Sequence, residues 1–137
     1  MSGSLDDRVL RRHLDDLEHT DWGPPIFGSY LVTRCHALRK KPLKDFTAED
    51  LRLMIGQSVS LGYLVPLALD RLEADPLCAG ECHAGDLLVA VLSAGTTDRR
   101  VRRRIGEVAE AVEPRLAELT KVERKAVTEA LAKFRAG

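Results

Sequence analysis

The sequence predicts an all-α fold, a single compact bundle of about six to seven helices, on three observations. Apolar residues recur at intervals of three and four through most of the chain, the spacing that lines one face of a helix. Ser4, Thr47 and Thr120 are each followed three positions later by an acid, Asp7, Asp50 and Glu123, the pairing in which a helix cap and its third residue satisfy each other's backbone N–H. No run alternates apolar and polar residues over strand length, aromatics are only 4% of the chain, and no Asn-Gly or Asp-Gly pair offers a hairpin turn.

Taken in order, Ser4 opens a first helix that carries Leu5, Val9, Leu10, Leu14 and Leu17 to about His19. Residues 21–29, DWGPPIFGS, hold two prolines and two glycines and read as a fixed loop, pinned to the core by Trp22 and Phe27. A second helix is expected over about 29–40, with Leu31, Cys35 and Leu38 on its inner stripe and Arg34, His36, Arg39 and Lys40 outside it. Pro42 disfavours helical geometry at Lys41 and ends it. Thr47 caps a third helix whose buried stripe is Leu51, Met54, Ile55 and Val59, with Gly56 thinning or terminating it.

The fourth segment, SLGYLVPLALDRLEADP, is apolar on nearly every side, as a central helix must be. Pro66 presses on the carbonyl of Gly62, so a bend is expected there, and Asp75-Pro76 stops the helix. After the loop LCAGECHAG, the residues Leu87, Leu88, Val91 and Leu92 form a short fifth helix with Asp86 in its first turn and Gly95 at its end. Val101, Ile105, Val108 and Val112, then Pro114, then Val127, Ala130, Leu131 and Phe134 behind the Thr120 cap, give two or three more helices.

A chain of 137 residues suits one domain and one activity. Its formal net charge of +0 gives no global field for nucleic acid, membrane or an acidic substrate. The balance is uneven: residues 1–95 carry 14 acidic against 10 basic side chains, a net of −4, and residues 96–137 carry 7 against 11, a net of +4. That divides the expectation into an N-terminal helical part, 1–95, and basic C-terminal helices, 96–137, packed on it or extending it. Neither a secretion leader nor an apolar run of spanning length is visible, so a cytoplasmic protein without membrane contact is expected.

Chemistry-bearing patterns are few. Cys78, Cys82 and His83, with Cys35 and His36 elsewhere, lack the doubled cysteine pairs of common zinc sites, and free thiols are the simpler reading. A cysteine or serine nucleophile needs a base and an orienting group, and no Gly-x-Ser-x-Gly turn or comparable grouping is present. Glycine-rich phosphate loops are missing. Catalytic residues, a metal and a cofactor are therefore not assigned.

Two stretches stay open. RRVRRR places Arg99, Arg100, Arg102, Arg103 and Arg104 at a helix start, where positive charge does not help the helix. They are either contacts to nucleic-acid phosphates or a solvated, partner-facing surface with Arg103 and Arg104 spaced to pair with Glu107. KKPLKDFTAEDLRLMIGQ is either a well-specified helix hairpin, its acids Asp45, Glu49 and Asp50 serving the cap and the helix dipole, or a polar face that meets a ligand.

DW-G-P, then SYLVTRCHALRKKPLKDFTAEDLRLMIGQ, then LGYLVPLAL-x-x-L-x-x-x-PL and GDLLVAVL, together spanning about residues 10–93, resemble in order and spacing the helical immunity proteins of bacterial contact-dependent growth inhibition systems. The resemblance does not extend over 96–137. It implies a non-enzymatic protein that binds the C-terminal toxin domain of a large secreted effector and blocks it. It also implies that the shared motif builds the scaffold, since specificity for one toxin resides where relatives differ. On that logic Trp22, Arg39, Pro42, Leu43, Thr47, Asp50, Leu51, Arg52, Ile55, Gly56, Gln57, Pro66 and Gly85 determine the fold. Acidic residues of the N-terminal part, Asp15, Asp16, Glu18, Glu81 and Asp86, are the candidate toxin contacts, suited to a basic cleft such as a nuclease has. Alternatives are a nucleic-acid-binding regulatory module using residues 99–104, or a helical adaptor that dimerises through its C-terminal helices.

Overall fold

The apolar periodicity folds as helices throughout a computed structural model that describes residues 6–20, 30–78 and 84–136. Among these residues lie eight α-helices, two 3-10 segments and no strand. The expected loop anchors Trp22 and Phe27, the cap Ser4 with Leu5, and Glu81, Cys82 and His83 fall outside the described residues.

The first predicted helix is two. α1 (Asp7–Leu10) is capped by Asp6, whose carboxylate accepts from the Arg8 N–H at 2.8 Å, and α2 (Leu14–Leu17) restarts after an extended His13. Tertiary hydrogen bonds cause the break. The Leu43 N–H donates to the Arg12 carbonyl at 3.0 Å, and the Asp15 N–H donates to the Arg39 carbonyl at 3.1 Å, so neither group is free to continue a helix. His13 Nδ1 accepts from the Asp16 N–H in compensation. The apolar stripe survives the break, with Leu14 fully buried and Val9, Leu10 and Leu17 packed against the core.

α3 (Tyr30–Leu38) buries Cys35 and Leu38 as expected, and a 3-10 turn, Leu43–Asp45, follows Pro42. α4 (Ala48–Gly56) has the predicted capping box in full: Thr47 Oγ1 accepts from the Asp50 N–H at 3.1 Å and Asp50 Oδ2 accepts from the Thr47 N–H at 3.0 Å. Its inner stripe is Leu51, Met54 and Ile55, and Val59 lies beyond its end. Phe46, which belongs to none of the apolar stripes, is almost wholly buried between turn and helix.

α5 (Leu61–Ala74) runs unbroken through Pro66 and buries Leu64, Val65, Ala68, Leu69 and Leu72. α6 (Asp86–Ser93) begins at Gly85, whose φ of +84° belongs to glycine, and whose missing Cβ would stand 2.9 Å from Val127 Cγ2. α7 (Arg99–Val112) passes into a 3-10 segment, Glu113–Glu118, that begins next to Pro114, and α8 (Lys121–Ala136) starts at the predicted Thr120–Glu123 box. α6 packs on α4 and α8, and α5 packs on α4, α6 and α7. Ile105, Val108, Val112, Val127 and Leu131 share one core cluster with Leu51, Leu64 and Leu87, so the basic C-terminal helices are built into the same interior. Full burial of each such leucine contributes about 1.5–3 kcal/mol.

Candidate functional site: the edge around Arg39

Arg39 follows the last turn of α3 and is turned inward, 2% exposed, although helical periodicity sets it outside the apolar stripe. Burial of a guanidinium requires partners, and the surrounding loops provide them. Its Nε donates to Asp15 Oδ1 at 2.6 Å, a terminal nitrogen meets Glu18 Oε1 at 2.7 Å, and the other donates to Ser60 Oγ at 3.1 Å. Ser60 Oγ in turn donates to Glu18 at 2.9 Å, and Lys40 Nζ reaches the second Asp15 oxygen at 2.8 Å. Burial pushes the Asp15 pKa up, but the hydrogen bonds and charges of Lys40 and Arg39 outweigh it and hold the carboxyl below the ordinary aspartate range. This node ties α2, the end of α3 and the start of α5 together.

A second node lies between α3 and α4. Asp50 is buried within the α4 cap, with Arg34 at 2.8 Å on one oxygen and Lys41 at 2.6 Å on the other. Here too burial raises the pKa, and Lys41, the Thr47 N–H and Arg34 together bring it below the ordinary value. In the stretch KKPLKDFTAEDLR, two basic side chains, Lys40 and Lys41, and the buried acid Asp50 fasten α3 to the elements flanking it.

The surface over the Arg39 node carries unusual backbone. His19, Ser58 and Ser60 have φ of 53°, 58° and 50°, and they are the non-glycine residues with positive φ among the described residues. Each such conformation costs on the order of 1–2 kcal/mol and persists only where the surroundings impose it. Two open depressions flank them, one lined by His13, Asp15, Asp16, His19, Thr20 and Lys40, the other by Glu18, Thr20, Arg39, Ser58, Val59 and Ser60. Thr20 belongs to both, so the end of α2 and the α4–α5 connection make one continuous edge. No sequence signal marks Ser58 and Ser60; their conformation comes from the fold.

The family described as CDI immunity proteins, for contact-dependent growth inhibition, matches residues 16–104, which run from α2 into the first half of α7. The chain belongs to that family. No curated protein and no solved structure matches it.

In this immunity protein the predicted acidic residues are distributed unevenly. Asp15 is interior and its carboxylate is spent on Arg39 and Lys40. Asp16 and Glu18 lie on the exposed edge, Asp16 paired with Arg12 at 2.6 Å and Glu18 with Arg39. The Arg12 hydrogen bond lowers the Asp16 pKa. Asp86 stands instead in an apolar groove between α4, α6 and α8, 3.7 Å from Arg52, which also forks onto Glu49. Glu81 lies outside the described residues.

The scaffold residues of the immunity protein mostly have visible work. Arg39 and Asp50 hold the two nodes, Leu43, Leu51 and Ile55 are core, Pro42 starts the 3-10 turn, and Gly85 opens α6. Gly56 and Gln57 are exposed at the end of α4, where the Gln57 N–H donates to the Leu53 and Met54 carbonyls. The arginine run divides. Arg104 bonds Asp70 and Glu73 of α5 rather than Glu107, and Arg102 lies over Phe134, while Arg103 is 3.8 Å from Glu107. Among the described residues no cluster of His, Cys, Asp and Glu could hold a metal; Cys35 and Cys78 are free thiols whose pKa burial raises. No helix among them is long and apolar enough to cross a membrane.

Proposed function

We propose that this immunity protein neutralises the toxin domain at the C-terminus of its cognate CDI effector by binding it through the edge formed by the end of α2 and the α4–α5 connection. The observation that carries the proposal is the gathering of His19, Ser58 and Ser60, all in left-handed conformation, over a buried ion-pair node. Strained backbone held by an over-determined interior is a rigid surface, and rigidity lowers the ordering cost of a tight complex. Asp15 serves as support beneath this surface. Asp16 and Glu18 place carboxylates on this surface, each paired with an arginine, and a toxin with a basic cleft such as a nuclease would compete with those arginines for them. Inhibition by occupancy requires no catalytic step of the immunity protein.

The test is protection in cells. Co-expression with the toxin domain of the effector encoded directly upstream restores growth, and a chain carrying Asp16→Lys and Thr20→Lys, folded to the same thermal midpoint, loses that protection. Full protection by the charge-reversed chain would move the interface elsewhere, and absence of protection by the unaltered chain would remove the proposal.

A further inference from the structure

α7 opens on five arginines, and the fold uses only part of them. Arg104 is bonded to Asp70 and Glu73, which docks α7 on α5. Arg102 is fixed by three contacts: it donates to the Thr96 carbonyl and the Phe134 carbonyl, each at 3.2 Å, and its guanidinium lies 4.5 Å over the Phe134 ring. Arg99 and Arg100 are exposed and have no side-chain partner among the described residues. Arg103 is 84% exposed, and its nearest carboxylate, on Glu107, is at 3.8 Å.

The position of these exposed cations works against the helix. They occupy the first turns of α7, where the helix dipole disfavours positive charge. Arg99 and Arg103, like Arg100 and Arg104, are like charges four residues apart and repel. Arg99, Arg102 and Arg103 also line one open depression with Phe134 and Arg135, the last paired with Glu113 at 2.7 Å. Arginines that the fold does not need, placed around one that it holds rigid, are arranged for a ligand.

We propose that this depression binds the phosphodiester backbone of nucleic acid without reading sequence. Arg99 and Arg103 contact phosphates, Arg102 forms the fixed floor, and Arg100 adds charge at the lip. Guanidinium forks match phosphate oxygens in two-bond geometry. Arg99 and Arg103 are separated by about 6 Å along the helix axis, a repeat that suits a linear polyanion. A protein partner is disfavoured because its binding energy concentrates in buried apolar anchors, and the one aromatic ring in the lining is covered by Arg102. The covered ring also leaves no platform for base stacking, so contacts stop at the backbone. This site uses residues distinct from the edge around Arg39 and stands or falls independently of it.

The experiment uses the full chain and fluorescence anisotropy with a mixed-sequence 20-base-pair DNA duplex. Two phosphate contacts, from Arg99 and Arg103, predict an affinity that falls about 12-fold between 50 and 200 mM salt. The variant Arg99→Gln/Arg100→Gln/Arg103→Gln should bind at least tenfold more weakly at 50 mM, with a flatter salt dependence and a thermal midpoint equal to or above that of the unaltered chain. The variant Lys44→Gln/Lys121→Gln/Lys125→Gln removes the same charge outside the depression and should bind as the unaltered chain does. The proposal is overturned by absence of binding at 50 mM, by equal loss in the two variants, or by polyglutamate competing as well as unlabelled duplex, which would assign the depression to an acidic protein.

Discussion

Replacing Arg39 by Met, which keeps the length of the side chain and removes its charge, should destabilise the immunity protein by about 3 kcal/mol. Removal of one partner of a buried ion pair costs about 3–5 kcal/mol because the other charge remains buried. The low end applies because Asp15 keeps Lys40 at 2.8 Å, and because Glu18 is exposed enough to regain water. With a urea dependence of about 2 kcal/mol per molar for a chain of this size, the unfolding midpoint drops by about 1.5 M. The double variant Asp15→Leu/Arg39→Met should recover part of that loss, since it leaves no buried charge behind, and Lys40 is half exposed. The acid limb gives a second check. The folded pKa of Asp15 is depressed, so its contribution is complete above the ordinary aspartate value of 3.8 and is lost as pH falls through the lower folded value. The midpoint difference between the unaltered chain and Arg39→Met should therefore narrow below about pH 3.8. A loss under about 1 kcal/mol at neutral pH, or a difference that widens in acid, would refute the role given to the node.

Thr47→Ala removes one half of the α4 capping box and should cost about 1 kcal/mol in urea unfolding. Gly85→Ala combines positive φ with a contact of 2.9 Å to Val127, a stiff buried side chain, and should cost about 2 kcal/mol; thermal melting would show it as a lowered midpoint. Asp16→Asn/Glu18→Gln should slow association with a basic toxin domain in stopped flow at low salt, and the difference from the unaltered chain should fade as salt screens it.

What was legible in the sequence follows from local chemistry. The caps at Thr47 and Thr120, the stripes of α3, α4 and α8, and the apolar α5 are set by residues a few positions apart, and the structure shows them. The break at His13 was not legible, because it depends on Leu43 and Arg39, which lie far along the chain and take the hydrogen bonds a continuous helix would use. Arg39 illustrates the same limit. Periodicity placed it outside the stripe, whereas Asp15, Glu18 and Ser60 turn it inward. At the candidate edge, charge alone draws attention to Asp16 and Glu18, while Ser58 and Ser60 carry no signal because their backbone conformation is imposed by packing. Charge counting also finds the basic surplus of the C-terminal helices, but not that Arg104 and Arg102 are committed to the fold while Arg99 and Arg100 have no side-chain partner among the described residues.

The most direct measurement is the affinity of the full chain for the C-terminal domain of the effector encoded beside it, by calorimetry, with the toxic activity of that domain followed in the same mixture. A one-to-one complex of nanomolar dissociation constant or tighter, about −12 kcal/mol, is expected, with loss of activity in step with complex formation. A folded, active domain that gives no heat of binding and stays toxic in excess immunity protein would contradict it.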